Sequence, residues 1–366
     1  MGCASSGAAT ADVAASQPPP RILWRSKPLV DGEYLLGMVP AGDVVCVGDG
    51  FGNVYGLKAA SGKELWRRTF RDNSAGYLPL AAAGGRVFAV GSMRVAALSA
   101  ATGKQLWSVS AAGVEPGFPP RLPTYFVVYA NGVVCVLGAD GRVTGLDPRT
   151  GSAVWRRGPP AHGGFGAGAV AGDGVLYVAE TSGGVVALDV LTGRPRWAAS
   201  APSAASTLLV LDGVVAGTPA ASPSYDAGEL TFALEAATGR LLWKKNFDTE
   251  TYSSIAGAGG RVFVHVNLLN GAATVGNAIH ALAAGSGKTL WHRSFPGQSI
   301  GGTIYAADGV LYTCFADGVL RAVSPKTGAD VWQSAALSAV DGITPGLGVI
   351  YGNAAGSPDT IYAIRP

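Results

Sequence analysis

Short apolar runs recur along the chain, alternating large and small residues and separated by glycine-bearing breaks, the pattern of many short strands joined by tight turns. Residues 67–107 show one full period. "YLPLAAA" reads as strand A, "GGR" as a turn, "VFAVG" as strand B, "VAALSA" as strand C, Thr-Gly as a second turn and "KQLWSV" as strand D. Glycine stands in each turn where the backbone needs a positive φ.

The period repeats. "LKAASGKELWRR" (57–68), "LSAATGKQLWSV" (98–109), "LDPRTGSAVWRR" (146–157) and "LDVLTGRPRWAA" (188–199) are four copies of one phrase. "LEAATGRLLWKK" (234–245), "LAAGSGKTLWHR" (282–293) and "VSPKTGADVWQS" (323–334) complete seven. All eight tryptophans fall in phase: Trp24, Trp66, Trp107, Trp155, Trp197, Trp243, Trp291 and Trp332, spaced by 42, 41, 48, 42, 46, 48 and 41 residues. A strand-rich period of this length predicts an all-β propeller with one four-stranded antiparallel blade per repeat.

In each phrase the Thr-Gly pair makes the C–D hairpin, and the tryptophan on outer strand D covers the seam to the next blade, burying roughly 150–250 Å² of its own surface. The eight tryptophans are therefore expected to serve blade docking. Asp147 and Asp189, just before two turns, read as turn-stabilising. The segment "RILWRS" (21–26) is an outer strand without its inner three, and "GVIYGNAAGSPDTIYAIRP" (348–366) supplies strands B and C without a tryptophan strand. Placing Trp24 beside the C-terminal blade closes an eight-bladed ring and removes two raw edges. A seven-bladed ring with a spare N-terminal strand is the alternative.

The phrase LxAxTGxxLW, preceded by an apolar strand such as "DGVLYV", resembles the quinoprotein-like (PQQ-like) β-propeller repeat over about residues 21–366. The resemblance implies architecture more than activity. The family includes quinone-dependent dehydrogenases, the propeller lipoprotein of the bacterial outer-membrane assembly machine, and sensors and scaffolds. Its redox enzymes use a ring of adjacent cysteines, a calcium held by acidic and amide side chains, and a catalytic aspartate. No adjacent cysteines occur here and none of those residues carries over, so neither a cofactor nor a metal is expected.

Composition fits this picture: Gly 54, Pro 22 and only 14% charged residues describe a turn-rich chain with a large interior. A net charge of +3 gives no long-range attraction to nucleic acid or a membrane surface. The pairs Arg67-Arg68, Arg156-Arg157 and Lys244-Lys245 read as edge protection on outer strands. The most apolar stretch, 124–139, is broken at Asn131-Gly132 and reads as a hairpin. Cys46, Cys135 and Cys314 are expected at matching places in three repeats, too far apart for a disulfide. Cys3 lies in a small, polar segment (residues 1–20) expected to be a flexible tether. Gly2-Cys3 resembles a lipoprotein junction, and also fits an acylation signal or an ordinary N-terminus. The corresponding localisations are an extracytoplasmic, membrane-anchored lipoprotein or a cytoplasmic protein.

Connectivity puts the short A–B and C–D turns on one face and every insertion on the other: 110–125 before blade 3, 217–229 in blade 5 and 265–277 in blade 6. Binding groups concentrate on such loops. Candidates are Tyr225, Asp226, His265 and Tyr252 for acid–base chemistry, with Glu229, Glu250, Asn267, Asn277, Glu180, His162 and Arg71 as further binding-face residues. Glu33, Tyr34, Asp72 and Asp341 share that face; His280 and His292 fall in or beside strands and are weaker. Two functions follow. One is a non-catalytic scaffold presenting the long-loop face to a protein or envelope component. The other is a non-redox enzyme (lyase, isomerase or cyclase) acting on a small organic molecule in the central funnel. A sensor domain of a larger receptor is a third reading. Nucleic acid is not an expected partner, and a membrane is one only through an N-terminal lipid.

Overall fold

The computed structural model describes residues 20–27, 29, 35–70, 79–91, 94–110, 126–137, 142–158, 164–219, 230–247, 250–270, 273–296, 304–314, 319–334, 340–346, 348–354 and 360–365. The residues described form eight four-stranded antiparallel sheets and no helix. Blades 1 to 7 span residues 35–69, 80–110, 127–157, 165–200, 205–245, 250–296 and 305–333, each a meander with strand A innermost. The A strands touch one another all round the ring. Blade 8 takes strands Val340–Gly346, Val349–Ala354 and Thr360–Arg365 from the C-terminal end and Arg21–Arg25 from the N-terminal end.

Trp24 lies opposite Ala363 and reaches into blade 1, donating its indole N–H to the Ala59 carbonyl at 2.7 Å. Ser26 ties the end of its strand down: its N–H donates to Ile361 O at 2.8 Å, and its Oγ accepts from Ile361 N at 3.0 Å.

The same contact recurs at each following seam. Trp66, Trp107, Trp155, Trp197, Trp243 and Trp291 donate to Ala100, Pro148, Val190, Ala236, Ala284 and Pro325 carbonyls at 2.6–3.0 Å. Each ring also covers the turn glycine of the next blade. Gly193, at φ 66°, would place a Cβ 2.5 Å from the Trp155 ring. Trp332 alone has no such turn to meet, and its buried N–H finds no acceptor among the described residues.

A β-bulge aims these rings. In blade 1, Gly56 faces Trp66 but Leu57 faces Glu64, leaving Leu65 unpaired. The same shift occurs beside the tryptophan in all eight blades. An extra residue there bends the outer strand and raises its twist, tipping the indole toward the neighbouring blade. The residue across from each tryptophan is small: glycine in blades 1 and 3, alanine in the others. Where it is glycine, strand B beyond it carries Cys46 or Cys135. Where it is alanine, strand B carries Phe88, Tyr177, Phe263, Tyr312 or Tyr351, with ring centroids 5.8–6.0 Å from the indole. Blade 5, with Ala216, is the exception.

This register corrects one expectation. Cys46 and Cys135 do occupy matching places, but Tyr312 fills that place in blade 7 and Cys314 lies two residues further along. The three cysteines are buried and form no disulfide, and burial pushes the thiols of Cys46 and Cys135 up to about 12. Asn131-Gly132 forms the expected hairpin turn, with both φ angles positive.

Candidate functional site

Up-and-down strands place all A–B and C–D turns on one face and all B–C and D–A connections on the other. The short turns are locked by backbone and side-chain bonds. Asp147 Oδ1 accepts from Arg149 N and Thr150 N at 2.7 and 2.9 Å, and Asp189 Oδ1 accepts from Leu191 N and Thr192 N at 3.2 and 3.0 Å. Both aspartates act in turns.

Of the residues expected on the long-loop face, Tyr225, Asp226, Glu229, His162, Arg71, Asp72, Glu33 and Tyr34 lie outside the described residues. Several others are not in loops. Residues 265–270 and 273–277 continue strands B and C of blade 6, which run Arg261–Asn270 and Ala273–Ala283 and stay paired to Asn270 and Ala273. Glu250 and Tyr252 belong to strand A, Glu250–Ala258, and Asp341 to strand Val340–Gly346. The period-2 pattern of "RVFVHVN" explains the difference: Val262, Val264 and Val266 face blade 5, while Phe263 and His265 point to the opposite side, toward blade 7.

His265 is fully buried, in contact with Ser254 and Asn277, themselves buried. Ile304 N donates across the seam to Ser254 Oγ at 3.1 Å, leaving the hydroxyl proton for His265 Nδ1, 3.5 Å away. His265 Nε2 donates to Asn277 Oδ1 at 3.2 Å. With the Ser254 hydroxyl donating to Nδ1 and Nε2–H donating to Asn277 Oδ1, a neutral ring satisfies both contacts, and burial holds the ring's pKa down at about 4. The serine–histidine–asparagine row is shut inside a blade seam and pins blade 7 to blade 6.

The pH consequence is definite. The folded pKa lies below the unfolded value of about 6.5, so below 6.5 the unfolded chain takes up a proton that the folded chain refuses. The seam's contribution is complete above pH 6.5 and is lost as pH falls toward 4, by about 2 kcal/mol between pH 7 and 5. Urea unfolding at those two pH values measures it, and His265→Gln removes this part of the pH dependence.

Of the remaining candidates, Asn267 stands opposite Asn277. Glu180 ends strand Val175–Glu180, half-buried, its carboxyl raised by burial and folded over Gly184, where a Cβ would stand 2.2 Å from Oε2. His280 stacks on His292 at 5.4 Å and lies tilted against Phe247, just past the last strand of blade 5, at 4.5 Å. Of the acid–base candidates, Tyr225 and Asp226 lie outside the described residues, and His265 meets Asn277, one of the binding-face candidates.

One residue was missed. Asp49, fully buried, accepts from Phe51 N (2.9 Å), Asn53 N (2.8 Å), Asn53 Nδ2 (2.7 Å) and Tyr55 OH (2.7 Å). These bonds stiffen the B–C turn of blade 1 and hold out Phe51, 51% exposed, on the long-loop face. The signal was present in "DGFGNVY": an acid followed by spaced glycines and an asparagine, a turn that bonds its own backbone.

Among the described residues no three His, Cys, Asp or Glu side chains are grouped to hold a metal, and the described cysteines sit in strands of three separate blades. No helix among the described residues is long and apolar enough to cross a membrane.

A family model described as "Outer membrane protein assembly factor BamB" matches residues 9–161, 139–225 and 226–364. No curated protein matches. Among solved structures, BamB from Moraxella catarrhalis is 17% identical with a TM-score of 0.68, covering 95% of this chain and 98% of that one. Quinohemoprotein alcohol dehydrogenase from Comamonas testosteroni is 14% identical with a TM-score of 0.73, covering 96% and 77%. The computationally designed Ika8 protein is 15% identical with a TM-score of 0.69, covering 93% and 99%. At such identities these likenesses speak to the fold alone.

Proposed function

For a chain that belongs to the family of the outer membrane protein assembly factor BamB, we propose a non-catalytic scaffold that binds a protein partner of the cell envelope with its long-loop face. It would be held outside the cytoplasm by a lipid on Cys3. The observation that carries this reading is the asymmetry of the ring. One face is built of short turns; the other carries the connections that vary in length and holds Phe51 out on a stiffened turn. A rigid ring with variable loops on one side suits recognition. The acid–base reading is weakened because His265, its histidine candidate, is sealed and neutral.

The reading is tested by photo-crosslinking in the native host. A benzophenone amino acid replaces Phe51 or Ser182 on the long-loop face, and Thr102 or Thr238 on the short-turn face. Discrete crosslinks to one envelope protein from positions 51 and 182 only are expected. Equal products from both faces, or none, would overturn it. A small molecule retained in native mass spectrometry would instead revive the enzyme.

A further inference from the structure

The short-turn face has a property that net charge conceals. In five C–D turns the residue after the glycine is an exposed cation: Lys63, Lys104, Arg194, Arg240 and Lys288. In blades 3 and 7 that place holds Ser152 and Ala329, and the cation stands two residues before the glycine instead, as Arg149 and Lys326, both exposed. Every complete C–D turn thus carries at least one cation, although the position within the turn changes. At the split turn of blade 8, the exposed Arg365 and Arg21 face each other as the last and first residues of paired strands.

Because C–D turns belong to the outer strands, these cations form an annulus. Four acids of the same face, Asp43, Asp173, Asp212 and Asp308, lie on the inner A–B turns. Three stand in the C–D turns themselves and are engaged there: Asp147 by its own turn, Asp189 by its turn and by Arg196 at 2.8 Å, and Glu235 by Arg240 at 3.1 Å. The segments joining strands on the opposite face are acid-rich in sequence, with Asp226, Glu229 and Asp248 around blade 5 alone. No turn of this face exceeds a few residues, so the annulus can approach a plane closely, within the roughly 8–10 Å over which salt leaves exposed charges visible. The chain ahead of Arg21 leaves from this same face.

We propose that the short-turn face is a docking surface for a bilayer rich in anionic lipid, each blade setting one cation against the headgroups. The inference does not rest on the scaffold reading, which uses the other face, nor on acylation of Cys3.

The test uses the full chain carrying Cys3→Ser, so that no acyl group contributes. Sedimentation with phosphatidylcholine vesicles containing 30% phosphatidylglycerol in low salt should bring the protein down, and 0.5 M NaCl should release it. Vesicles of phosphatidylcholine alone should not bind. Combined Lys63→Gln, Lys104→Gln, Lys288→Gln and Lys326→Gln should weaken partitioning at least tenfold with an unchanged melting curve. Lys244→Gln with Lys245→Gln on the outer strand of blade 5 should change it less than twofold. Failure to bind anionic vesicles, equal binding to neutral ones, or an equal loss from the blade 5 pair would each overturn the proposal. So would loss-free binding by the fourfold variant.

Discussion

Trp155→Ala will destabilise the protein by about 3–5 kcal/mol, the usual cost of removing a buried large aromatic. Trp155 is 9% exposed, lies across the seam between blades 3 and 4, and donates to Val190 O at 2.8 Å. Its removal opens a cavity and leaves that carbonyl without a donor. A phenylalanine control separates the two losses. Trp155→Phe keeps most of the apolar surface and gives up the bond, a cost of about 1–3 kcal/mol for an unmet buried acceptor. Trp332→Phe has no such bond to lose, because the Trp332 N–H lacks an acceptor among the described residues. It should therefore be the milder substitution by about 1 kcal/mol. Urea denaturation of the three variants, read at constant slope, decides the order. Equal costs for the two phenylalanine variants would show that the seam bonds add nothing.

The second large effect comes from the other side of the same contact. Gly193→Ala must place a methyl 2.5 Å from the Trp155 ring at φ 66°. Gly213, at φ 75°, has open space around the corresponding direction. Both substitutions incur the strain of a left-handed backbone, about 1–2 kcal/mol. Only Gly193→Ala adds the overpacking of an indole fixed by its bulge and its bond, a further 1–3 kcal/mol or so. The difference between the two variants isolates the clash from the backbone term. If they melt alike, the indole yields freely and the glycines under the rings are needed for their φ alone.

The ring was legible in the sequence because the repeat is constrained in two ways at once. Thr-Gly fixes the hairpin, and the four-residue step from each turn glycine to its tryptophan fixes how the bulge aims the indole. The bulge itself could not be read from one blade, since Leu65 looks like any strand residue until its partner strand is in place. The exchange of alanine–aromatic for glycine–cysteine was hidden for the same reason: it is a rule about residues on different strands. Misplacing Cys314 followed from counting along strand B instead of across it.

The site was less legible. His265 looked like a loop residue because "HVNLLNGAATVGN" combines asparagines and glycine, ordinary turn composition. In the fold, pairing with Ala273–Ala283 outweighs that composition and carries the histidine into a seam. A polar side chain on the inward face of a valine-rich strand is the cue that favoured burial. The cation annulus escaped notice because a total of +3 does not say where along the strands and turns the charges stand.

The split eighth blade also decides how the ring would bear a load. Strand Arg21–Arg25 runs antiparallel to Thr360–Arg365, with Arg21 opposite Arg365 at the short-turn end. A pull on the chain ahead of Arg21, resisted by a partner held on the far face, acts along the strand axis. Hydrogen bonds between antiparallel strands lie across that axis. The closing strand would then be strained in shear, all its bonds sharing the force, with Trp24 and Ser26 anchoring the far end. Pulled sideways, the same five residues would unzip one pair at a time. The direction of the pull sets whether the ring holds.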